Sequence, residues 1–282
     1  MFIKFKHKLK NRLAIWLYRK KCSFKISFAQ SGEDIALDSL FGQLRLEPEK
    51  INYVEIGTNR PVYNNNTYFL YLKGARGTLV EPNEELAAVI RRHRPEDRLV
   101  QAGITNLPSG EYTYFAYEKN KNYDDDWNTF DEQEVHRRAE QLNVHPSRSV
   151  KMSMLNINDL LQSCPAVPDL LAIDVEGMDF ELVAALDLKK YPIPVIMVET
   201  LIADTFCPLS KDMRAKEYLE RNGYELFSDT WANMIFYRKE WVGERRKMLL
   251  AAKPEPAAGA VCGKASGCSD NVEKWENERK GA

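Results

Sequence analysis

Tyr53-Val54-Glu55-Ile56-Gly57-Thr58-Asn59 is answered by Gly77-Thr78-Leu79-Val80-Glu81-Pro82-Asn83. Each stretch is a short apolar run that closes on an acid and then a turn. Glu55 and Glu81 stand 26 residues apart, about one strand–helix–strand unit. An open α/β sheet builds its ligand crevice from such units, at the carboxyl ends of the strands. The turn after the first acid lets backbone approach a ligand closely, and the second acid can accept hydrogen bonds from two ribose hydroxyls. The pair points to a cofactor of the adenosine type.

Outward from this pair, the same rhythm continues. Strands are expected at Asn52–Ile56, Gly77–Val80, Arg98–Ile104, Leu170–Ile173 and Val195–Val198, with a closing antiparallel hairpin at Tyr224–Ser228 and Asn233–Arg238. Helices are expected over Asp34–Phe41 (capped by Asp34 or Ser31), Thr67–Lys73 (capped by Asn66, stopped by Gly74), Glu84–His93, Asn158–Gln162, Phe180–Leu186 and Lys211–Asn222. Tyr112–Tyr117 alternates in the β manner, and Ser149–Leu155 reads as another strand. Residues 118–150 are polar and charged, with a helix at Asp131–Leu142, and read as a variable insertion or lid. The order predicts an α/β, Rossmann-like fold: a mostly parallel seven-stranded sheet with an antiparallel final hairpin and helices on both faces.

Residues 27–245 hold this domain. Ahead of it, in residues 1–26, Phe2, Phe5, Leu9, Leu13 and Trp16 fall on one helical face flanked by Lys and Arg. The stretch 2–21 reads as an interfacial helix on an anionic membrane, or as an arm packed on the domain or on a second subunit. Residues 246–282 read as a disordered tail, rich in Ala, Gly, Pro, Lys and Glu from 251 onward. The first 25 residues carry nine of the 40 Lys/Arg and none of the 41 acids, so the body is acidic, which argues against nucleic acid as a partner. Five cysteines in irregular spacing suggest reduced thiols and a cytoplasmic protein, and no apolar run is long enough to span a membrane.

The turn Gly57-Thr58-Asn59-Arg60-Pro61 is not a GxGxxG fingerprint, which argues against a nicotinamide oxidoreductase on a similar sheet. A carboxylate at Glu55 would repel a pyrophosphate but can bind a cationic amino group, as on a methionine moiety. A non-catalytic module that keeps the fold for binding or scaffolding is the other alternative.

Five motifs then occur in register: Phe28-Ala29-Gln30-Ser31-Gly32-Glu33-Asp34, Val54 to Pro61, Asn65-Asn66-Thr67-Tyr68, Leu79 to Asn83, and Ile173-Asp174-Val175-Glu176-Gly177. Together they resemble the FkbM family of S-adenosylmethionine-dependent O-methyltransferases, over about residues 27–200. Thr58 and Asn65 are departures from the usual pattern. The resemblance implies S-adenosylmethionine as cofactor. Glu55, Gly57 and Asn59 would face its methionine part, Glu81 its ribose, and Ile104 would lie near its adenine, with Thr58, Pro82 and Asn83 also in the cofactor-binding set. Gln30, Glu33 and Asp34 would close over the pocket, and Asn66 would join the binding set. The acceptor would be a hydroxyl on a sugar, glycan or other secondary metabolite.

Asp174, Glu176 and Glu199 follow strands at the acceptor side and can supply a general base, or oxygen ligands for a Mg²⁺ that nothing in the spacing demands. The tyrosines 112, 114 and 117, and Trp127 and Phe130 in the acidic loop, are aromatic candidates for stacking on an acceptor ring. His93, in the basic helix end Arg91-Arg92-His93-Arg94, reads as a surface residue and not a base, as do His136 and His145.

Overall fold

The computed structural model describes residues 26–117, 129, 131–175, 177–202 and 210–251. The stretch 2–21, Trp127, Phe130 and the tail from 252 lie outside the described residues, as does Glu176. The chain divides into two compact units, Met1–Arg245 and Arg246–Ala282, and both sheets belong to the first.

The central sheet is seven-stranded. Its strands are β1 (Asn52–Ile56), β2 (Arg76–Val80), β3 (Arg98–Val100), β7 (Leu170–Ile173), β8 (Val195–Glu199), β9 (Tyr224–Asp229) and β10 (Asn233–Arg238). They lie in the order β3-β2-β1-β7-β8-β10-β9. β1 pairs in parallel with β2 and β7, and only β10 runs antiparallel to its neighbours β8 and β9. The strand order reverses beside β1, and its carboxyl end opens the crevice where such sheets bind ligands.

The strand sequences explain why the sheet is covered on both sides. Leu170-Leu171-Ala172-Ile173 and Val195-Ile196-Met197-Val198 are buried at every position, so alternate side chains feed opposite cores. Val54, Leu171, Ile173, Ile196 and Val198 pack in one core with α5 (Ile157–Ser163), α6 (Asp179–Ala185) and α7 (Arg214–Arg221). Tyr53, Leu170, Ala172, Val195 and Met197 pack in the other with α1 (Glu33–Gln43), α2 (Tyr68–Leu72), α3 (Glu84–His93) and Val242 near the start of α8 (Lys239–Ala251). No helix among the described residues is long and apolar enough to cross a membrane.

The structure departs from the sequence reading in three places. The expected strand Arg98–Ile104 breaks at Gln101–Ala102, and the chain leaves the main sheet there. Its second half, β4 (Gly103–Thr105), joins β5 (Gly110–Ala116) and β6 (Arg148–Asn156) in a separate three-stranded sheet of order β4-β6-β5. Thr129 bridges to Phe115 of β5, so part of the expected insertion is tied to this sheet. The caps differ as well. Gly32, at φ 89, opens α1 without a side-chain cap, and Thr67 precedes α2 without one; neither Asp34 nor Asn66 fills those roles. Finally, the helix Lys239–Ala251 has no counterpart in the expected order.

Candidate functional site

Three strand ends are stitched together by backbone. Gly57 N and Thr58 N both donate to Val80 O at 3.1 Å, and Asp174 N donates to Ile56 O at 3.1 Å. Gly57 adopts φ 81, and a Cβ there would stand 1.7 Å from the Asp174 carbonyl oxygen, so only glycine lets β1 turn against the exit of β7. Asn59 follows in the left-handed region at φ 50, and its N–H donates to Glu81 Oε2 at 2.9 Å. Asn83 N donates to the other oxygen, Glu81 Oε1, at 2.8 Å. Glu81 is buried, and one backbone amide on each oxygen sets its carboxylate's orientation before any ligand arrives.

Around these ends lies a cavity of about 250 Å³. It gathers Gln30, Glu55, Gly57, Thr58, Asn59, Asn66, Glu81, Pro82, Ile104, Asp174 and Glu199, all singled out in the sequence. Val80, Pro82, Leu86, Ala102 and Ile104 supply an apolar wall, and Arg60 and Tyr63 also line the cavity. Tyr114 and Thr129 arrive from the three-stranded sheet, which makes that sheet part of the site wall.

Three residues expected at the cofactor are not among those lining the cavity. Glu33 is fully buried; Thr230 Oγ1 donates to its Oε1 at 2.7 Å and Ser31 N to its Oε2 at 2.8 Å, so it ties the segment before α1 to the β9–β10 turn. Asp34 accepts from Ser27 Oγ at 2.6 Å and Phe28 N at 2.7 Å, and holds the same segment to itself. Asn83 caps α3, its side chain accepting from Glu85 N at 2.9 Å.

Glu55 is buried at the end of β1. Its Oε2 accepts from Asn65 Nδ2 at 3.0 Å and Thr67 Oγ1 at 2.9 Å, and its Oε1 from Asn66 N at 3.2 Å. The balance raises its carboxyl above the ordinary value: burial pushes it up, and Arg94 and these hydrogen bonds oppose that only in part. Arg94 itself is the residue that the sequence reading passed over. It sits just past α3 in a basic run, yet it is 1% exposed and fully hydrogen-bonded inside the protein. The one sequence signal was its neighbour Asp97 at i+3, with which it pairs at 2.7 Å.

After β7, Val175 and Gly177 are held by Asp179, the first residue of α6. Its Oδ1 accepts from Val175 N at 3.0 Å and its Oδ2 from Gly177 N at 3.2 Å. Burial raises its carboxyl from 3.8 to about 6, against the pull of those amides. Because the folded value lies above the unfolded one, the unfolded chain loses its proton first. Stability should therefore fall as pH rises from about 4 to about 6 and level off above. Asp179→Asn is expected to flatten this part of the pH–stability curve, read by urea denaturation at each pH. It should also loosen the turn, since the amide nitrogen that replaces one carboxylate oxygen cannot accept the N–H held there.

Beside the first cavity lies a second, of about 190 Å³, and both are lined by Glu199 and Leu201. Its wall combines Arg137 and Arg138 of α4 (Glu132–Leu142), Arg214 of α7, the acids Glu134, Asp179 and Asp212, and Phe180. The charges pair among themselves: Arg137 Nη2 and Arg138 Nε each reach Glu134 at 2.7 Å, and Arg214 Nε reaches Asp212 at 2.8 Å. Among the described residues, no three His, Cys, Asp or Glu side chains converge as a metal site.

The family model for the methyltransferase FkbM domain matches residues 55–226, more than half of the chain and all of the strand ends just described. The chain belongs to the FkbM methyltransferase family. It is accordingly an S-adenosylmethionine-dependent methyltransferase, and the nicotinamide alternative falls away. No curated protein matches it. Among solved structures, a TehB-like SAM-dependent methyltransferase from Corynebacterium glutamicum is similar at 12% identity and a TM-score of 0.38, over 82% of this chain and all of that one. A putative O-methyltransferase from Klebsiella pneumoniae has 12% identity and a TM-score of 0.38, over 81% of this chain and 86% of that one. An O-methyltransferase from Bacillus cereus, in complex with SAH, has 11% identity and a TM-score of 0.34, over 80% and 90%. For this FkbM methyltransferase, the family assignment rests on the match over 55–226.

Proposed function

We propose that this protein transfers a methyl group to a hydroxyl of a sugar, glycan or other secondary metabolite. One observation carries the reading: Glu199 lines both cavities, so a single carboxylate faces the space for a cofactor on one side and the space for an acceptor on the other. The mixed-sign lining of the smaller cavity, with Phe180 beside it, favours a neutral polyhydroxylated molecule over an anion.

The larger cavity fits the cofactor chemically. It offers an apolar wall for a flat base, a carboxylate of set orientation at Glu81 for a vicinal diol, and a buried carboxylate at Glu55 for an ammonium group. S-adenosylmethionine, when bound, supplies a methyl group activated by its sulfonium charge. The protein's part is to position and to move a proton. Glu199, with Asp174 as the second candidate, orients the acceptor hydroxyl and takes its proton on a carboxylate oxygen. Such a base contributes about 10²- to 10⁴-fold.

Calorimetric titration of S-adenosylhomocysteine, followed by an acceptor screen with labelled methyl donor, tests this reading. Glu199→Gln is expected to lower kcat by about 10²-fold or more while S-adenosylhomocysteine affinity stays within about threefold. Equal activity in the variant would remove Glu199 as the base. The basic stretch 2–21 suits a lipid-linked glycan at the inner face of a membrane. Flotation with anionic vesicles, with and without those residues, decides whether that refinement stands.

A further inference from the structure

We propose that Arg94 is a positioning residue for the cofactor: through two parallel hydrogen-bond relays, it keeps the Glu55 carboxylate ionised and aimed at the amino-acid end of S-adenosylmethionine. The inference rests on the proposed role of Glu55.

The relays are explicit in the side chains. Arg94 Nη2 donates to Thr67 Oγ1 at 3.0 Å, and that hydroxyl donates onward to Glu55 Oε2 at 2.9 Å. Arg94 Nη1 donates to Asn65 Oδ1 at 3.1 Å, and the same amide donates from Nδ2 to Glu55 Oε2 at 3.0 Å. Both routes end on one oxygen. Among the described residues, Oε1 takes only the Asn66 N–H, which leaves it the oxygen with acceptor capacity to offer a ligand. Thr67 Oγ1 has a single proton, and accepting from a guanidinium commits that proton to Glu55. The direction of the relay is thereby set by charge at the Arg94 end.

The arrangement is complete at the other end too. Arg94 Nε donates to Asp97 Oδ2 at 2.7 Å, Nη2 also to Tyr53 OH at 2.8 Å, and Nη1 also to Pro61 O at 3.4 Å. Five N–H bonds meet five acceptors, with the rings of Tyr68 and Tyr71 packed nearby at 5.7 and 4.7 Å. The charged and titratable groups facing Arg94 are thus Asp97, Tyr53, Tyr68, Tyr71 and, through the relays, Glu55. A buried carboxylate without such a partner takes up a proton and can no longer hold an ammonium group. The burial of Arg94 thereby has a use: it supplies Glu55 with positive charge by way of neutral groups. Lysine cannot serve both relays, because it presents one nitrogen where Arg94 presents three.

The test compares two probes on the intact protein. S-adenosylhomocysteine carries the ammonium group, and 5′-methylthioadenosine keeps the nucleoside but lacks it. Calorimetry gives each affinity for wild type, Glu55→Gln, Arg94→Lys and Thr67→Val between pH 6 and 8.5, with thermal melts to check folding. Thr67→Val cuts one relay without disturbing the Arg94–Asp97 pair, so it serves if Arg94→Lys does not fold. The expected result is a loss of preference for S-adenosylhomocysteine of about tenfold or more in Glu55→Gln and about three- to tenfold in the relay variants. In the relay variants the preference should recover as pH rises, because Glu55 then ionises later than in wild type. Unchanged preference in the relay variants, or an equal loss for both probes with no movement in pH, overturns the role of Arg94. If Glu55→Gln also keeps the wild-type preference, the assignment of Glu55 to the ammonium group fails first. If wild type binds neither probe, the cofactor site itself is wrong.

Discussion

Glu81→Ala is expected to reduce S-adenosylhomocysteine affinity by about 100-fold or more. The side chain is buried at the wall of the larger cavity, and each of its oxygens accepts from a backbone amide, Asn59 N or Asn83 N. Alanine removes the acceptor for the ribose diol, where two charge-assisted bonds are each worth about 1.5–3 kcal/mol. It also leaves the two amides unmatched and releases the Asn59 turn, which costs about 1–3 kcal/mol for each amide that water does not reach. Two readouts separate these effects. Calorimetry reports the lost ligand contact, and thermal melting without ligand reports the lost brace. A folded variant that binds like wild type would show that the ribose does not sit at Glu81.

The second large effect is expected from Gly57→Ala. A methyl group at this position would meet the Asp174 carbonyl oxygen at 1.7 Å and its carbon at 2.8 Å, both backbone atoms, in a conformation of φ +81. Neither neighbour can step aside as a flexible side chain could. Relief would require β1 and β7 to part at their carboxyl ends, where Asp174 N bonds Ile56 O. The expected outcome is a loss of several kcal/mol, read as insoluble protein or a melting temperature lowered by about 10 °C or more. Gly32→Ala is the control. Gly32 has a similar φ of +89 but nothing within 4 Å of the added carbon, so only the backbone strain of about 1–2 kcal/mol applies. Comparable melts for the two variants would mean that strain alone, and not the contact between strands, makes Gly57 necessary.

Several features of the site were readable because they are local. Glu55 and Glu81 end runs whose apolar residues announce buried strands, and Pro82 and Asn83 mark the joint into α3. The failed GxGxxG pattern pointed away from a dinucleotide sheet. Other features involve partners that no short window contains. Glu33 was placed near the pocket on the strength of its motif, but it bonds Thr230, 197 positions along the chain. Tyr112 and Met152 are register partners in the three-stranded sheet, across a segment that read as insertion. Arg94 follows Arg91, Arg92 and His93, which are exposed, and nothing in that basic run marks it as the buried member.

What the sequence determined alone is the central sheet, the two acids at its strand ends and the family they belong to. Those follow from apolar burial and from turn chemistry, which act between residues near in the chain. Only the tertiary structure decided that strand three breaks after Val100, that Tyr114 and Thr129 wall the cavity, and that Glu199 lines two cavities. It alone turned Arg94 inward. A charged side chain is buried only where enough partners converge to replace its water, and that convergence is a property of the folded chain.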